Sequence, residues 1–184
     1  AQFLLSQANL GVGRASEAAD LLALASWCVL KNPDCSHAVR SQLHRNYGRL
    51  YAAQGRLREA AKQFASDIYY SSLQVGPEHV DTAPGYLYMA REILDHGQPE
   101  RSLTVLDQQV DIWYKLLASV RMRSERVESL PEAQVAEAVA MLQSVLATRA
   151  RFLGERHIAT GEGAYTLGLL HLFVWPRAEV RIVA

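Results

Sequence analysis

Hydrophobic positions along the chain recur at helical spacing and break three times at the same kind of joint. Each break is a Gly after an apolar helical stretch, followed by a basic or polar residue and a new helix start: GRASEAADLL from Gly13, GRLREAAKQF from Gly55 and GQPERSLTVL from Gly97. The three glycines lie 42 residues apart both times, without a gap. Ungapped self-similarity of this kind marks a repeat architecture. Each unit follows one plan: a first helix, a turn at Gly, a second helix. The Gly suits the left-handed position that closes a helix, where a Cβ would clash. Five residues beyond each Gly stands a small residue (Ala18, Ala60, Ser102), and four residues further a larger one (Leu22, Phe64, Leu106). A small residue lets two helices cross closely, and the larger residue one turn on fills the space beside the crossing.

The middle unit is the most informative. In HRNYGRLYAAQGRLREAAKQF, His44-x2-Tyr47-Gly48-x2-Tyr51 is followed by Ala60-x3-Phe64. This resembles the tetratricopeptide (TPR) pattern W-x2-L-G-x2-Y…A-x3-F with every interval kept, His replacing Trp and Tyr replacing Leu. The other two units are degenerate, with Ser6 and Ala90 where Gly48 stands. The usual TPR period is about 34 residues, so the longer repeat adds about two helical turns. That places long second helices at roughly 58–74 and 100–117. The predicted fold class is all-α, a TPR-like helical-hairpin solenoid with about 42-residue repeats.

A second echo has a different period. VGPEHVDT at 75–82 returns 78 positions later as LGERHIAT at 153–160. The first copy joins the second helix of unit two to the first helix of unit three. Asp81 or Thr82 is placed to cap the new helix, and Pro84 suits its first turn. The second copy should join a later pair, because Ala138-x3-Leu142-x2-Val145 matches Ala60-x3-Phe64-x2-Asp67 at the same offset. This predicts a second-type helix over 134–152 and a first-type helix over 161–174. An offset of 78 falls six short of two periods of 42. The loss falls in ASVRMRSERVESLPEAQ (118–134), which is too short and too charged for a buried helix and two turns. The expected organisation is three hairpins over 1–117, the first shortened at its N-terminus; an irregular connector or degraded helix over 118–133; and further TPR-like helices over 134–184, cut short at the C-terminus. WPRAEVRIVA reads as the start of another second helix. AQFLLSQANL opens in mid-helix, so the chain is expected to be a piece of a longer protein.

Composition narrows the chemistry. Basic and acidic residues balance at 19 each, which argues against a mainly electrostatic hold on nucleic acid or anionic membrane. No run of eighteen apolar residues and no opening signal segment is present. We expect neither a nucleic-acid nor a membrane partner. Cys28 and Cys35 are the only cysteines, and reduced thiols are the default reading. Together with His37 and His44 they form C-x6-C-x-H-x6-H, a spacing that matches no common zinc finger. GVGRAS at 11–16 lacks the strand and the third Gly of a dinucleotide fingerprint. His79 and His157 recur in the two echoed loops. They read as joint residues whose rings bond backbone groups, since each joint of a solenoid sees only its neighbours. No catalytic, cofactor-binding or metal-binding residue is assigned, and a non-enzyme is expected.

Binding surfaces follow from the repeat. First helices should line an inner groove, placing Gln42, Arg45 and Arg49 there, followed by Leu87, Arg91 and Asp95. The resulting basic strip suits an acidic peptide or a partner helix, or is simply a solvated helix face. Trp113 and Tyr114 sit late in a long second helix, and one of them is expected to face outward as a contact. TPR domains that clamp a chaperone's C-terminal carboxylate need Lys and Asn in one first helix, Asn in the next, and Lys and Arg in the third. Asn46 fits the middle requirement, but Phe3, Gln7, Pro84 and Tyr88 occupy the other places. That argues against a cochaperone role of this kind.

A narrower resemblance rests on residues outside the generic repeat positions. These are W-C-V-L-K-x2-D-C-S, L-H-R-N-Y-G-x-L-Y, D-I-Y-Y-S-S, and later D-I-W with E-A-Q-V-A-E-A. Over roughly 1–117 and again over 130–150 the chain resembles the TPR region of the zinc finger MYND domain-containing protein twelve family. These are axonemal proteins of motile cilia and flagella. The resemblance implies a structural adaptor, located in the cytoplasm and cytoskeleton of the axoneme, that tethers an inner-arm dynein or regulatory complex to doublet microtubules. It implies two partners, an axonemal dynein heavy chain or its subunits and another TPR protein. The family's MYND zinc finger lies upstream of the repeats, and no residue here inherits its ligands. The other reading is a soluble TPR module that binds an acidic peptide or partner helix in its concave groove, like the cargo-binding repeats of kinesin light chains.

Overall fold

The computed structural model describes residues 2–123 and 131–173. Among the described residues all regular structure is helical: α1 (Gln2–Gly11), α2 (Ala15–Lys31), α3 (His37–Ala53), α4 (Leu57–Val75), α5 (Ala83–Asp95), α6 (Pro99–Arg123), α7 (Glu132–Leu153) and α8 (Ile158–Phe173). The chain forms two compact units, residues 1–109 and 110–184, with the division inside α6.

The 42-residue period is built into the backbone of the first unit. Gly13, Gly55 and Gly97 have φ of 78°, 71° and 73°. Each closes its helix in the same way. The amide after the Gly donates five residues back: Arg14 to Asn9, Arg56 to Tyr51 and Gln98 to Ile93, at 2.8, 2.9 and 3.2 Å. The Gly amide itself donates three residues back. This is the Schellman closure, which satisfies carbonyls that the end of a helix leaves open. The small and large positions behind the turn are all interior: Ala18, Ala60 and Ser102 are at most 1% exposed, and Leu22, Phe64 and Leu106 at most 2%. Ser102 compensates its hydroxyl by donating to the Ala90 carbonyl at 2.7 Å. Gly48 allows the closest crossing, because a Cβ there would run into the Phe64 ring. Between the first two hairpins, Leu43 and Leu50 of α3 pack on Ala18, Leu22 and Ala25 of α2.

The second unit contains the end of α6 with α7 and α8. Its core is Trp113 and Leu117 with Ala138, Leu142, Val145 and Leu170, all fully buried. The α7–α8 pair reproduces the α4–α5 pair at the offset of 78. Gly85 lies against Ile68, and its counterpart Gly163 lies against Leu146, the counterpart of Ile68.

Helix ends depart from the sequence expectation in three places. α6 runs to Arg123 instead of stopping near 117, because no Gly or Pro interrupts the chain before Pro131. α8 begins at Ile158, three residues early, because the His157 ring serves as its cap: Nδ1 accepts the Ala159 amide at 3.2 Å. Neither Asp81 nor Thr82 caps α5 with its side chain. Thr82 points its hydroxyl back to the Gly76 carbonyl instead, at 2.9 Å. Of the stretch expected to be irregular, 118–123 belongs to α6 and 132–133 to α7. Residues 124–130, and the reading of WPRAEVRIVA beyond Phe173, lie outside the described residues.

Candidate partner-binding surfaces

The expected inner groove starts on α3, and its central charge is committed to the interior. Arg45 Nε lies 2.8 Å from Asp67 Oδ2, and its Nη2 reaches Oδ1 at 3.2 Å. Ser41 donates to the same Oδ1 at 2.6 Å, and Arg45 Nη2 also donates to the Asp81 carbonyl at 3.2 Å. The Asp67 side chain is wholly buried and that of Arg45 only 14% exposed. These bonds tie α3, α4 and the loop before α5 together. Arg45 is therefore a structural cation, which corrects its placement as an open groove charge. Leu87 is also corrected: it is 4% exposed and belongs to the core. Both were legible from the repeat, since the equivalent positions hold Phe3, Arg45 and Leu87, two of them apolar.

Gln42, Arg91 and Asp95 are exposed, and Arg49 is half-buried. The Arg49 guanidinium sits 5.7 Å from the centre of the Tyr88 ring, joining α3 to α5 by a cation–π contact. Asn46 is fully buried and donates to the Gln42 carbonyl of its own helix at 2.7 Å, so it does not face a ligand. Glu92 stands where the repeat has Leu50 and is 4% exposed. Burial, reinforced by Asp95, pushes its carboxyl above the usual range, while His96 opposes the shift.

Of the two residues offered as an outer contact, Trp113 is corrected: it is fully buried in the core of the second unit. Tyr114 is 44% exposed. Again the register carried the signal, because the residue 42 before Trp113 is Ser71, itself buried. Sequence reasoning missed a different outer stripe, on α2. Leu24, Trp27 and Leu30 are 56%, 59% and 74% exposed, with the Lys31 ammonium 4.8 Å from the Trp27 ring centre. The corresponding positions on α4 are Ser66, Tyr69 and Ser72, so the apolar character belongs to the first hairpin alone.

The echoed loops are joints with one shared network. Gly76 and Gly154 have φ of 102° and 94°, a region that favours Gly. His79 Nδ1 accepts the Asp81 amide and His157 Nδ1 the Ala159 amide, both at 3.2 Å. Thr82 and Thr160 donate to the carbonyls of Gly76 and Gly154, both at 2.9 Å. The acceptor nitrogens are thus used within each joint. His44 is engaged elsewhere, 2.7 Å from Gln63 Oε1 and stacked on Tyr70, and Tyr70 also stacks on His37. Among the described residues no group of three His, Cys, Asp or Glu is arranged to hold a metal ion. No helix among them is long and apolar enough to cross a membrane.

In the second unit α6 and α8 face each other across a cleft of about 330 Å³. It is lined by Val110, Asp111 and Tyr114 from α6 and by Glu162, Tyr165 and Thr166 from α8. The Tyr114 and Tyr165 rings have centroids 6.4 Å apart and are tilted by 47°.

This architecture is that of TPR-like repeat proteins. The chain is similar to the nearly identical TPR-like repeats of a candidate kinesin light chain from Podosopora anserina, at 20% identity and a TM-score of 0.52. The alignment covers 93% of this chain and 84% of that one. A single-substitution variant of that same protein matches equally. No family model matches the sequence. The fold is thus an all-α, TPR-like hairpin repeat.

Proposed function

We propose that the chain is the protein-binding scaffold of a non-enzymatic structural adaptor, and that its setting is the axoneme of a cilium or flagellum. There it would tether an inner-arm dynein or regulatory complex to doublet microtubules, beside another TPR protein. The observation that carries the scaffold reading is how the polar groups are spent. The Thr hydroxyls and the Arg45–Asp67 pair hold helices to one another, and the His79 and His157 rings bond amides within their own joints. What remains outward is contact surface: the α2 stripe, the α3–α5 strip and the α6–α8 cleft. The axonemal setting rests on the resemblance of W-C-V-L-K-x2-D-C-S, L-H-R-N-Y-G-x-L-Y and D-I-Y-Y-S-S to the MYND-type axonemal family.

Fractionation of ciliated cells tests this. The full-length protein should stay with axonemes and leave them in high salt. A purely soluble distribution in such cells would contradict the proposal. The second reading, an acidic peptide in the α3–α5 groove, keeps Arg49 and Arg91 as its cations and is supported by the likeness to kinesin-light-chain-type repeats. Its test is Arg49→Glu with Arg91→Glu, which leaves the Arg45–Asp67 pair intact. Acidic-peptide binding that survives this double change rules the groove out.

A further inference from the structure

The cleft between α6 and α8 differs in chemistry from the strip on α3 and α5. Its polar rim is acidic, with Asp111 on one wall and Glu162 on the other, both exposed. Its sides are aromatic, with Tyr114 44% and Tyr165 50% exposed. The rings are tilted so that a planar cation at the mouth can stand within about 6 Å of both centres, the range of a cation–π contact. The floor is closed by Thr166, whose hydroxyl is turned back to the Glu162 carbonyl at 2.9 Å. The volume, about 330 Å³, is at the small end for a ligand site and suits one side chain better than a whole cofactor.

The repeat shows that these positions were available for new use. Asp111 and Tyr114 correspond to Tyr69 and Ser72 on α4, and to Trp27 and Leu30 on α2. On α2 and α4 the corresponding Trp27, Leu30 and Tyr69 are outward residues, 59%, 74% and 59% exposed. On α6 another helix stands across from them and turns an outer face into a cleft. Lys115 already binds Asp111 from the rim, at 3.3 Å with both side chains at least half exposed. Such an exposed i,i+4 pair is weak and exchanges readily for a better-placed cation.

We propose that this cleft binds an arginine side chain presented by an extended segment of a protein partner. The guanidinium sits at the mouth within cation–π range of both the Tyr114 and Tyr165 rings, and its N–H groups donate to the carboxylates of Asp111 and Glu162. Arginine fits better than lysine because it is planar, stacks on rings and presents several donors at once. The assignment rests on the scaffold reading above and adds the chemistry of one partner to it.

The test is fluorescence anisotropy with the full chain and three labelled peptides that differ only in one central residue: Arg, Lys or Glu. The Arg peptide should bind, the Lys peptide less tightly, and the Glu peptide not measurably. Asp111→Asn with Glu162→Gln should weaken Arg-peptide binding tenfold or more. Tyr165→Ala should do the same, while Tyr165→Phe keeps the ring and the affinity. Arg49→Glu with Arg91→Glu, on α3 and α5, should leave it unchanged. Equal binding of the Arg and Glu peptides, or binding indifferent to the Asp111/Glu162 and Tyr165 changes, overturns the assignment. Axoneme retention measured in parallel separates the two levels. Wild-type retention without Arg-peptide binding removes only the cleft, whereas loss of retention removes the scaffold reading in its axonemal form.

Discussion

The α4–α5 pair and the α7–α8 pair are two copies of one joint with different interiors. Both end a long second helix at a positive-φ Gly, both turn a His ring onto a backbone amide, and both send a Thr hydroxyl back to the Gly carbonyl. The helices behind the joint share Ala60 and Ala138, and Phe64 and Leu142, all buried. At the next position, however, the first copy holds Asp67 and the second Val145, each fully buried. The first copy pairs Ser71 with Thr82 at 2.9 Å, whereas the second puts Arg149, 1% exposed, in the place of Ser71 and bonds it to the Ala159 carbonyl. The joint geometry thus does not depend on which polar group lies beneath it. Gly, His and Thr set the turn, while the buried polar residue bonds α3 in the first copy and the start of α8 in the second.

The largest effect should come from breaking the polar interior of the first copy. Arg45→Ala leaves Asp67 buried and without its cation, and chemical denaturation should show a loss of about 3 kcal/mol or more. Replacing both partners with what other copies carry, Arg45→Leu with Asp67→Val, should return stability to within about 1 kcal/mol of the parent. If the double change is as damaging as the single one, the ionic pair does more than fill the position.

A smaller and symmetric effect is expected at the joints. Gly76→Ala and Gly154→Ala each force a side chain into a conformation few residues adopt, costing about 1–3 kcal/mol. A Cβ at either Gly would meet nothing within 4 Å, so the two losses should match. Unequal losses would show that the joints are alike in shape but not in strain.

The His rings should matter less. His79→Ala and His157→Ala each remove an amide acceptor near a helix start, a change worth about 1 kcal/mol. Asn at either position keeps an acceptor and should restore most of it. Thermal melts of the four variants, compared pairwise, measure how far the echo extends from sequence into energy.

The smallest change concerns Glu92, which stands in the stacking position that Leu50 fills one repeat earlier. Its folded-state carboxyl is raised by burial, so the folded chain holds that proton more tightly than the unfolded chain. The contribution to stability is fully present below the ordinary Glu range and is lost as pH rises through the raised folded value. Glu92→Gln should therefore be more stable than the parent at neutral pH, with the gap closing as the pH falls toward the ordinary Glu range. A gap that widens on acidification would reverse the sign.

The parts of this fold legible in the sequence are those that need one particular residue. Only Gly is at ease at φ near 71–78°, so the spacing of Gly13, Gly55 and Gly97 exposed the period directly. The echo of His79 and His157 was legible for the same reason, since a repeated joint repeats its backbone bonds. Side-chain direction was harder. Arg45 and Trp113 are a charged and a large amphipathic residue whose burial depends on Asp67 and on the core residues of α7 and α8, none of which lies beside them in sequence. Aligning all repeats at once, as Phe3–Arg45–Leu87 and Val29–Ser71–Trp113, would have placed both inside. The α6–α8 cleft was out of reach, because it exists only where α8 stands opposite an outer face of α6.

The most direct test of the central claim is crosslinking mass spectrometry through surface carboxylates on intact motile axonemes containing the full-length protein. The scaffold reading predicts crosslinks from this chain to dynein subunits and to a second helical-repeat protein, with Glu162 or Asp111 among the reactive sites. Crosslinks confined to soluble proteins, or none to axonemal components at normal abundance, would contradict it.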